Sequence, residues 1–338
     1  MKAVGLTRYL PISDPQSLVD VELPKPVATG HDLLVRVEAV SVNPVDTKVR
    51  SPKPQAEAQP KILGYDAAGV VEAAGDAVTL FNPGDAVYYA GDITRSGSNA
   101  QFQLVDERIV GRKPESLDFA AAAALPLTSL TAWELLFQRM RIDPNGHDRG
   151  KSLLIFAGAG GVGSMAIQFA KRAGLTVIAT ASRPQTVEWC RALGADHVID
   201  HRQPLADSLK SIGFGNVDFI ANLVDTDGYW QQMSELIAPQ GRIGLIVEPK
   251  KELRIGDPLK FKSVSIHWEM MFTRAAARTA DMAEQHRILG EVADLIDHGK
   301  LRGTLQKTLS PINAANLREA HHLIESGTTI GKIALAGW

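Results

Sequence analysis

A glycine-rich turn between two apolar runs constrains the fold of this chain more than any other feature. Residues 151–183 have the sequence KSLLIFAGAGGVGSMAIQFAKRAGLTVIATASR, in which residues 152–157 and 175–181 predict buried parallel strands. A helix follows the turn and ends at Gly174. The stretch therefore predicts a strand–turn–helix–strand unit of a parallel sheet. The turn has the spacing G-x-G-x-x-G, with glycines at Gly158, Gly160 and Gly163.

The three glycines suit a turn whose backbone comes close to a dinucleotide phosphate. Gly158 permits the tight turn, Gly160 allows a pyrophosphate to approach, and Gly163 allows the helix to pack close to the strand. Gly161 and Val162 then lie at the positive end of the helix, where the pyrophosphate would bind. The alternative is a glycine-rich turn that binds nothing, but the strands on both sides favour a dinucleotide site.

The end of the second strand indicates which dinucleotide binds. An NAD site usually has an Asp or Glu about 20 residues after the first glycine, where it binds the ribose hydroxyl. Here Ser182 and Arg183 occupy the strand end, and no acid occurs before Glu188. Because a hydroxyl and a guanidinium suit a phosphate, we predict NADPH as the cofactor. The alternative is that Arg183 is a solvated loop residue.

Length and composition exclude several classes of protein. A chain of 338 residues suggests two domains, and 45% hydrophobic with 22% charged residues is ordinary for a globular protein. The net charge of −2 gives no reason to expect nucleic acid or an anionic membrane as a partner. No signal-peptide core and no uninterrupted apolar run of about 20 residues is present. Cys190 is the single cysteine, so we expect a cytoplasmic protein without disulfides.

The order of the predicted elements indicates a discontinuous arrangement of two domains. Residues 1–115 predict many short strands separated by Gly and Pro turns, which favours a compact β-rich domain. Strand and helix then alternate, which predicts a doubly wound parallel sheet. The C-terminal stretch returns to the first pattern. We therefore expect a β-rich domain over 1–126 and 276–338, with a nucleotide-binding domain inserted over 127–275.

Four segments give more local expectations. Residues 41–50 predict a turn followed by a short polar segment, and residues 51–60, rich in Pro, Ala and Gln, predict an exposed loop. Ser116 is a suitable N-cap for an alanine-rich helix that Pro126 would end. Thr131 has the spacing of a capping box with the acid three residues later, which predicts that a new helix starts there.

These motifs together resemble the medium-chain dehydrogenase/reductases, and the resemblance covers essentially the whole chain. It rests on residues 64–71 (GYDAAGVV), 84–87 (GDAV), 157–163 (AGAGGVG) and 193–200 (LGADHVID). Residues 42–47 (VNPVDT) are similar to the zinc-free, quinone oxidoreductase-like branch. The resemblance implies an α/β fold in which a Rossmann domain is inserted into a GroES-like catalytic domain. It also implies a homodimer through a strand near residues 262–268.

The chain departs from the zinc-dependent members of that family at the metal site. Those members carry Cys where Asn43 stands and Gly-His-Glu where residues 64–66 read Gly-Tyr-Asp. They often also carry four structural cysteines, whereas this chain has one. We therefore expect no metal, and a zinc-type name attached by similarity would describe ancestry rather than chemistry.

The resemblance and the strand ends together nominate site residues. Asn43, Asp46 and Tyr65 are the catalytic candidates, with Asn43 expected on the nicotinamide side and Tyr65 as a group that orients or protonates the substrate. Each has a structural alternative, a turn bonded by Asx side chains or an aromatic residue that covers the core. The further cofactor candidates are Thr128 and His201, from the resemblance, and Leu223, Val224 and Ile246, from the strand ends.

We expect an NAD(P)H-dependent, quinone oxidoreductase-like reductase that transfers hydride to a quinone or other carbonyl-conjugated small molecule without zinc. One alternative is an enoyl-thioester or alkenal reductase in which Tyr65 donates the proton. A second alternative is a non-catalytic NADPH-binding redox sensor. The sequence does not name the substrate.

Overall fold

The structure is a computed structural model that describes the whole chain, residues 1–338. It divides into two compact units. Unit 1 comprises Met1–Leu130 and Phe272–Trp338, and unit 2 comprises Thr131–Met271. These boundaries lie close to the predicted ones at residues 127 and 275, and the fold is the expected insertion of a Rossmann-type unit into a GroES-like unit.

Unit 1 is built on two sheets. The smaller sheet has the order β2-β1-β4, and the larger has the order β15-β16-β3-β5-β6-β8, with β7 also paired to β3. Alternating burial along β3 and its neighbours places Val35, Val37 and Val40 in the core of the unit. The strands are β1 Lys2–Tyr9, β2 Val19–Glu22, β3 Asp32–Val42, β4 Lys53–Ile62, β5 Ala67–Ala74, β6 Ala86–Tyr89, β7 Phe102–Asp106, β8 Val110–Arg112, β15 Leu305–Leu309 and β16 Lys332–Ala336.

Short helices complete unit 1. They are α1 Pro44–Arg50, α2 Phe119–Ala123, α3 Pro126–Trp133, which runs on into unit 2, α8 Thr273–Ala276, α9 Glu284–Asp297 and α10 Ala314–Glu325. β16 pairs antiparallel with β3, and Ile333 lies opposite Val42. The C-terminal strand is therefore the immediate neighbour of the strand that ends at the predicted catalytic turn.

Unit 2 is a six-stranded parallel sheet with the order β11-β10-β9-β12-β13-β14. Numbered from its first strand, this is the order 3-2-1-4-5-6 of a doubly wound dinucleotide-binding fold, in which ligands bind at the carboxyl ends of the strands. β9 is buried along its whole length, as expected of a central parallel strand. The strands are β9 Ser152–Phe156, β10 Thr176–Thr180, β11 His197–Ile199, β12 Val217–Asn222, β13 Ile237–Leu245 and β14 Ser265–Trp268.

Four helices cover this sheet, and a π-helical segment, Glu134–Arg139, continues α3 into unit 2. Apolar side chains of the strands and helices, among them Phe156, Ile178 and Met233, form one buried cluster. The helices are α4 Gly161–Arg172, α5 Pro184–Ala192, α6 Leu205–Ser211 and α7 Thr226–Leu236.

Two expectations between β3 and β5 were wrong. The polar segment after the turn at residue 43 is helix α1, with Asn43 as N-cap, a proline in the first turn and Asp46 at the third position. The expected loop at residues 51–60 is strand β4, which pairs antiparallel with β1. Its polar, proline-containing sequence fits an edge strand that is exposed over most of its length.

Two helix starts were also placed wrongly. α2 begins after Asp118, whose carboxylate accepts from the amide of Ala121 at 2.7 Å, whereas Ser116 hydrogen-bonds Asp297. Pro126 begins α3 rather than only ending α2, because proline suits a first helical turn. Thr131 therefore lies inside a helix, and no helix starts there.

The helical stretch Phe119–Arg139 is long and apolar enough to cross a membrane. Of its most apolar 18-residue segment, 83% is buried inside the protein. It therefore has the properties of a core helix.

Candidate functional site

The glycine turn of unit 2 has the geometry of a phosphate-binding loop. A Cβ at Gly158 would lie 2.7 Å from the Cβ of Ala179 and 3.1 Å from the sulfur of Cys190. A Cβ at Gly163 would lie 2.4 Å from the carbonyl oxygen of Ala157. At Gly160 the nearest atom would be that same oxygen, at 3.5 Å, which is an ordinary contact. Gly158 and Gly163 are thus required by packing, and Gly160 leaves open space at the helix start.

The N-terminus of α4 presents unpaired backbone donors to that space. Gly160 is the N-cap, and the first turn that holds Gly161 and Val162 carries no acidic residue. The first amides of a helix have no intrahelical acceptor, and the helix dipole adds positive potential there. Ser164 donates to the Gly160 carbonyl oxygen at 2.7 Å and accepts from the indole of Trp189 at 2.8 Å. The residues present therefore fit the pyrophosphate of a dinucleotide.

Two arginines lie near Ser182, one just after the carboxyl end of β10 and one after that of β11. Arg183 is the N-cap of α5, and Arg202 donates to the carbonyl oxygen of Ser182 at 3.0 Å. Hydrogen bonds from Arg202 lower the pKa of Asp200 to about 2, so this carboxylate is charged and paired. His201 stands between Asp200 and Arg202 in the sequence and is exposed. Arg202 was not among the predicted site residues, although it follows a strand end, where ligand-binding residues are expected.

The other predicted cofactor residues lie in two places. Leu223 and Val224 follow the end of β12, and Ile246 follows the end of β13, all at the carboxyl edge of the sheet in unit 2. Val224 is 40% exposed. Thr128 lies in unit 1 on α3, where it is buried and its hydroxyl donates to the carbonyl oxygen of Leu125 at 3.1 Å.

A buried polar cluster in unit 1 holds the predicted catalytic asparagine. The Asn43 amide nitrogen donates to Asp66 Oδ2 at 2.8 Å and to the Tyr65 carbonyl oxygen at 3.3 Å. Its amide oxygen accepts from Nζ of Lys332 at 2.5 Å, and the same ammonium lies 3.0 Å from Asp66 Oδ2. The side chains of Asn43, Asp66 and Lys332 are each at most 3% exposed. Because every polar group of Asn43 is engaged, its side-chain orientation is fixed.

Asp46 completes this cluster. Its Oδ2 accepts from the backbone amide of Asn43 at 2.7 Å, and its buried Oδ1 has no well-aligned partner. Burial raises the pKa of Asp46 to about 7, since desolvation outweighs the attraction of Lys332. Asp46 is therefore about half protonated at neutral pH and mostly protonated below it.

Tyr65 is buried beside the same cluster. Its ring packs edge-on against Phe272, with ring centroids 5.4 Å apart, and the residue is 1% exposed. Burial and the charge of Asp46 raise the pKa of Tyr65 above its ordinary value of 10.0. The hydroxyl is consequently a weaker acid than that of a free tyrosine. The catalytic roles assigned to Asn43, Asp46 and Tyr65 stay predictions.

Comparisons with known proteins agree with both units. Residues 29–115 match the alcohol dehydrogenase GroES-like domain, and residues 193–335 match the zinc-binding dehydrogenase family. A zinc-type alcohol dehydrogenase-like protein of Staphylococcus aureus (strain COL) is 43% identical over 336 residues, which cover 99% of each chain. The chain belongs to the medium-chain dehydrogenase/reductase superfamily. It is therefore an NAD(P)-dependent oxidoreductase of this superfamily.

Other relatives of this medium-chain dehydrogenase/reductase are named for different activities. A protein of Rhizobium etli CFN 42, provisionally called a zinc-dependent alcohol dehydrogenase, is 55% identical with a TM-score of 0.95, over 100% of this chain and 98% of the other. The quinone oxidoreductase of Coxiella burnetii is 28% identical with a TM-score of 0.79, over 100% and 99%. A mycobacterial protein complexed with NADPH is 26% identical with a TM-score of 0.82, over 99% and 100%. A 2-methylene-furan-3-one reductase of Solanum lycopersicum is 41% identical over 180 residues, 50% of this chain and 44% of the relative.

The zinc in the names of several relatives does not fit the residues of this medium-chain dehydrogenase/reductase. At the cluster of unit 1, Asn43 and Tyr65 stand where zinc-dependent members carry Cys and His. The Lys332 ammonium lies against the Asn43 amide oxygen and Asp66, so a positive charge already occupies the place beside the remaining carboxylate. No group of three or more His, Cys, Asp or Glu side chains is placed to share a metal ion.

Lys332 is the residue of this cluster that sequence reasoning missed. It is the first residue of β16, and the strand is otherwise apolar, KIALA. A lysine at the start of an apolar strand is usually an exposed end residue, so its charge gave no distinct signal. Only the pairing of β16 with β3 shows that it lies beside residue 43.

Proposed function

We propose that this protein uses NADPH to reduce a quinone or another carbonyl-conjugated small molecule by hydride transfer, without zinc. The observation that carries the proposal is the contact between Lys332 and Asn43, which places an ammonium against a position where zinc-dependent members carry a metal ligand. Without a Lewis acid to polarise an alcohol or a simple carbonyl, the acceptor has to be activated by its own conjugation. Quinones, enones and enals meet that requirement.

Three features support NADPH as the reductant. The open space at Gly160 and the helix start fit the pyrophosphate. The end of β10 carries Ser182 and Arg183 rather than a carboxylate, and Arg202 adds a second guanidinium beside Ser182. When bound, NADPH supplies the hydride, and the protein orients the reactants and excludes water.

The protein's own contribution to proton transfer lies with Asp46. Reduction of a conjugated acceptor by hydride also consumes a proton, at oxygen in a quinone or at carbon in an alkene. Asp46 has a pKa raised to about 7 and so can give up and regain a proton near neutral pH, whereas the raised pKa of Tyr65 makes that hydroxyl a poorer donor. We therefore place Asp46 ahead of Tyr65 as the source of the proton.

The test is a turnover screen of the purified full-length protein with NADPH against quinones, enones, enals and saturated aldehydes. Oxidation of NADPH is expected with the conjugated acceptors and not with the saturated aldehydes. Reduction of the saturated aldehydes alone would contradict the proposal. No oxidation with any compound, despite tight NADPH binding, would favour the non-catalytic alternative.

Alkene reduction remains the second candidate, because a relative 41% identical over 180 residues is named for the reduction of a methylene-furanone. The two reactions differ in where the hydrogen atoms go. With NADPH deuterated at C4, an alkene reductase delivers deuterium to the β-carbon of the product, and solvent supplies the proton at the α-carbon. A quinone receives hydride and proton and becomes a hydroquinone, whose formation is followed by its absorbance.

We also propose that the protein is a homodimer through the edge of the sheet in unit 2. β14 is the edge strand, and an unpaired edge invites pairing with another chain. The Glu269 carboxylate is held inward, 2.7 Å from the guanidinium of Arg139. Its neighbours Trp268 and Met270 consequently point outward and are 49% and 54% exposed. A two-fold pairing of this edge would cover both.

A further inference from the structure

Lys332 is a buried charge with three defined partners. Its Nζ lies 3.0 Å from the Val42 carbonyl oxygen, 2.5 Å from Asn43 Oδ1 and 3.0 Å from Asp66 Oδ2. An ammonium has three hydrogens to donate, so all of its donors are engaged. The residue is 3% exposed, so its charge is shielded from solvent.

The Asn43 amide has one possible orientation because of this contact. An ammonium can only donate, so it faces the amide oxygen, and the amide NH2 then faces Asp66. The backbone amide of Asn43 is held by Asp46, the third residue of the helix that Asn43 caps. Lys332 therefore determines how the Asn43 side chain is presented at the turn between β3 and α1.

The cluster contains two carboxyl groups and one cation. Asp66 is paired directly, with the Leu127 amide 2.8 Å from Oδ1 and Lys332 at Oδ2, whereas Asp46 touches no cation. The titratable groups that influence Asp46 are Lys332 on β16 and Tyr65 and Asp66 in the turn between β4 and β5. Burying two charges of one sign with a single counter-charge is unfavourable, so one of the two carboxyl groups keeps a proton.

We propose that Lys332 is a positioning residue for the reductase reaction: its ammonium acts as a fixed internal cation that orients the Asn43 amide, pairs with the Asp66 carboxyl group and leaves the mobile proton on Asp46. The expected effect of Lys332 on turnover rests on the proposed function, whereas the expected charge state of the cluster does not. It gives this zinc-free site a resident positive charge of its own, in contact with Asn43 and Asp66.

The experiment compares the full-length protein with the variants Lys332→Met and Lys332→Arg. The first readout is independent of activity: the infrared band of the buried protonated carboxyl, assigned through Asp46→Asn, is followed as a function of pH. Loss of a neighbouring opposite charge shifts a carboxyl pKa by about one to three units. In Lys332→Met the band should therefore persist to a pH higher by about one unit or more, and in Lys332→Arg it should titrate close to the wild-type pH.

The second readout is the pH dependence of kcat and of KM for NADPH, with whichever acceptor the screen identifies. Lys332→Met should lower kcat about tenfold or more and leave KM for NADPH within about twofold, because the cofactor turn lies in unit 2. Lys332→Arg should recover most of kcat. Equal losses in kcat and in NADPH affinity, or no displacement of the carboxyl titration, would overturn the proposal.

Folding is controlled with a compensating variant. If Lys332→Met does not fold, the double variant Lys332→Met/Asp66→Asn removes one charge of each sign, and the same infrared titration is measured. Lys332 attracts the charge on Asp46 more strongly than Asp66 repels it, so the titration should still move upward. An unmoved titration in the double variant would refute the assigned role. If no acceptor is reduced, the proposed function fails, while the infrared result still decides the role of Lys332.

Discussion

A Cβ atom on Gly163 would lie 2.4 Å from the carbonyl oxygen of Ala157. Ala157 has a positive φ of 58°, a conformation that turns the chain from β9 into the glycine turn. The obstacle is backbone rather than a movable side chain, so the turn cannot relax around a larger residue. The close packing of the start of α4 against the end of β9 therefore requires a residue without a side chain at position 163.

Gly163→Ala and Gly160→Ala should separate folding from cofactor binding. Gly163→Ala is expected to lower the free energy of unfolding by about 1–3 kcal/mol, because overpacking distorts the turn. Gly160→Ala meets only an ordinary contact and should change stability by less than about 1 kcal/mol, yet its methyl group faces the expected phosphate. Thermal unfolding and NADPH titration measure the two effects. Unchanged NADPH affinity in Gly160→Ala would argue against a pyrophosphate at this helix start.

Arg183→Ala should selectively weaken NADPH. A hydrogen bond to a charged group contributes about 1.5–3 kcal/mol, so KM for NADPH should rise roughly 10- to 100-fold while KM for NADH stays nearly unchanged. The capping bonds of Arg183 with Thr186 use main-chain atoms of Arg183 and survive the truncation. Arg202→Ala is the matched control at the second guanidinium, which donates to Asp200 and to the Ser182 carbonyl oxygen.

The preference for NADPH should also shrink as salt rises, because surface charges are screened. Equal loss of activity with NADPH and NADH in Arg183→Ala would mean that Arg183 has a structural role only.

The purified protein should contain far less than one zinc per chain. Asn43 and Tyr65 replace two metal ligands, and the Lys332 ammonium lies against the Asn43 amide oxygen. Metal analysis by mass spectrometry checks the content, and treatment with a chelator should change neither the melting temperature nor turnover. About one tightly held zinc per chain would contradict this expectation.

Asp46 should make stability and activity depend on pH. Its pKa is raised from 3.8 to about 7 in the folded protein. Between these two pH values the folded state therefore binds a proton that the unfolded state has released. Stability from this group is complete below the unfolded pKa and is lost as pH rises through about 7, by at most about 1.4 kcal/mol per unit. Asp46→Asn should therefore become more stable relative to the wild type as pH rises across this window, as measured by urea unfolding.

The same variant tests the proton source. If the protonated form of Asp46 is the active one, kcat/KM of the wild type falls above about pH 7, and Asp46→Asn is slow at every pH. A wild-type rate that is level from pH 5 to 9 would assign the proton to another group.

Trp268→Lys combined with Met270→Lys should convert the proposed dimer into a monomer. Charges at the last residue of β14 and two positions beyond it oppose pairing at this end of the edge strand, and neither side chain is buried within the chain. Phe261→Lys is the control, since Phe261 is 87% exposed but lies before the other end of β14. Light scattering at micromolar concentration gives the mass. A monomeric wild-type protein would refute the proposed interface.

Sequence alone determined the elements whose signal is local. The glycine spacing between two apolar runs predicted the turn, α4 and the parallel sheet, because glycine conformation and strand burial depend on near neighbours. The absence of an acid at Ser182 and Arg183 likewise pointed to a phosphate. Asn43, Pro44 and Asp46 also carried a local signal, an N-cap followed by proline and an acid, which the structure shows to start α1. That helix could have been predicted.

Only the tertiary structure decided the state of the cluster in unit 1. Lys332 and Asn43 are separated by 289 positions, and their contact depends on the antiparallel pairing of β16 with β3. Whether a lysine is an exposed strand end or a buried cation follows from what packs over it, which no local pattern encodes. The raised pKa of Asp46 has the same origin, because desolvation is a property of the assembled core and not of the residue.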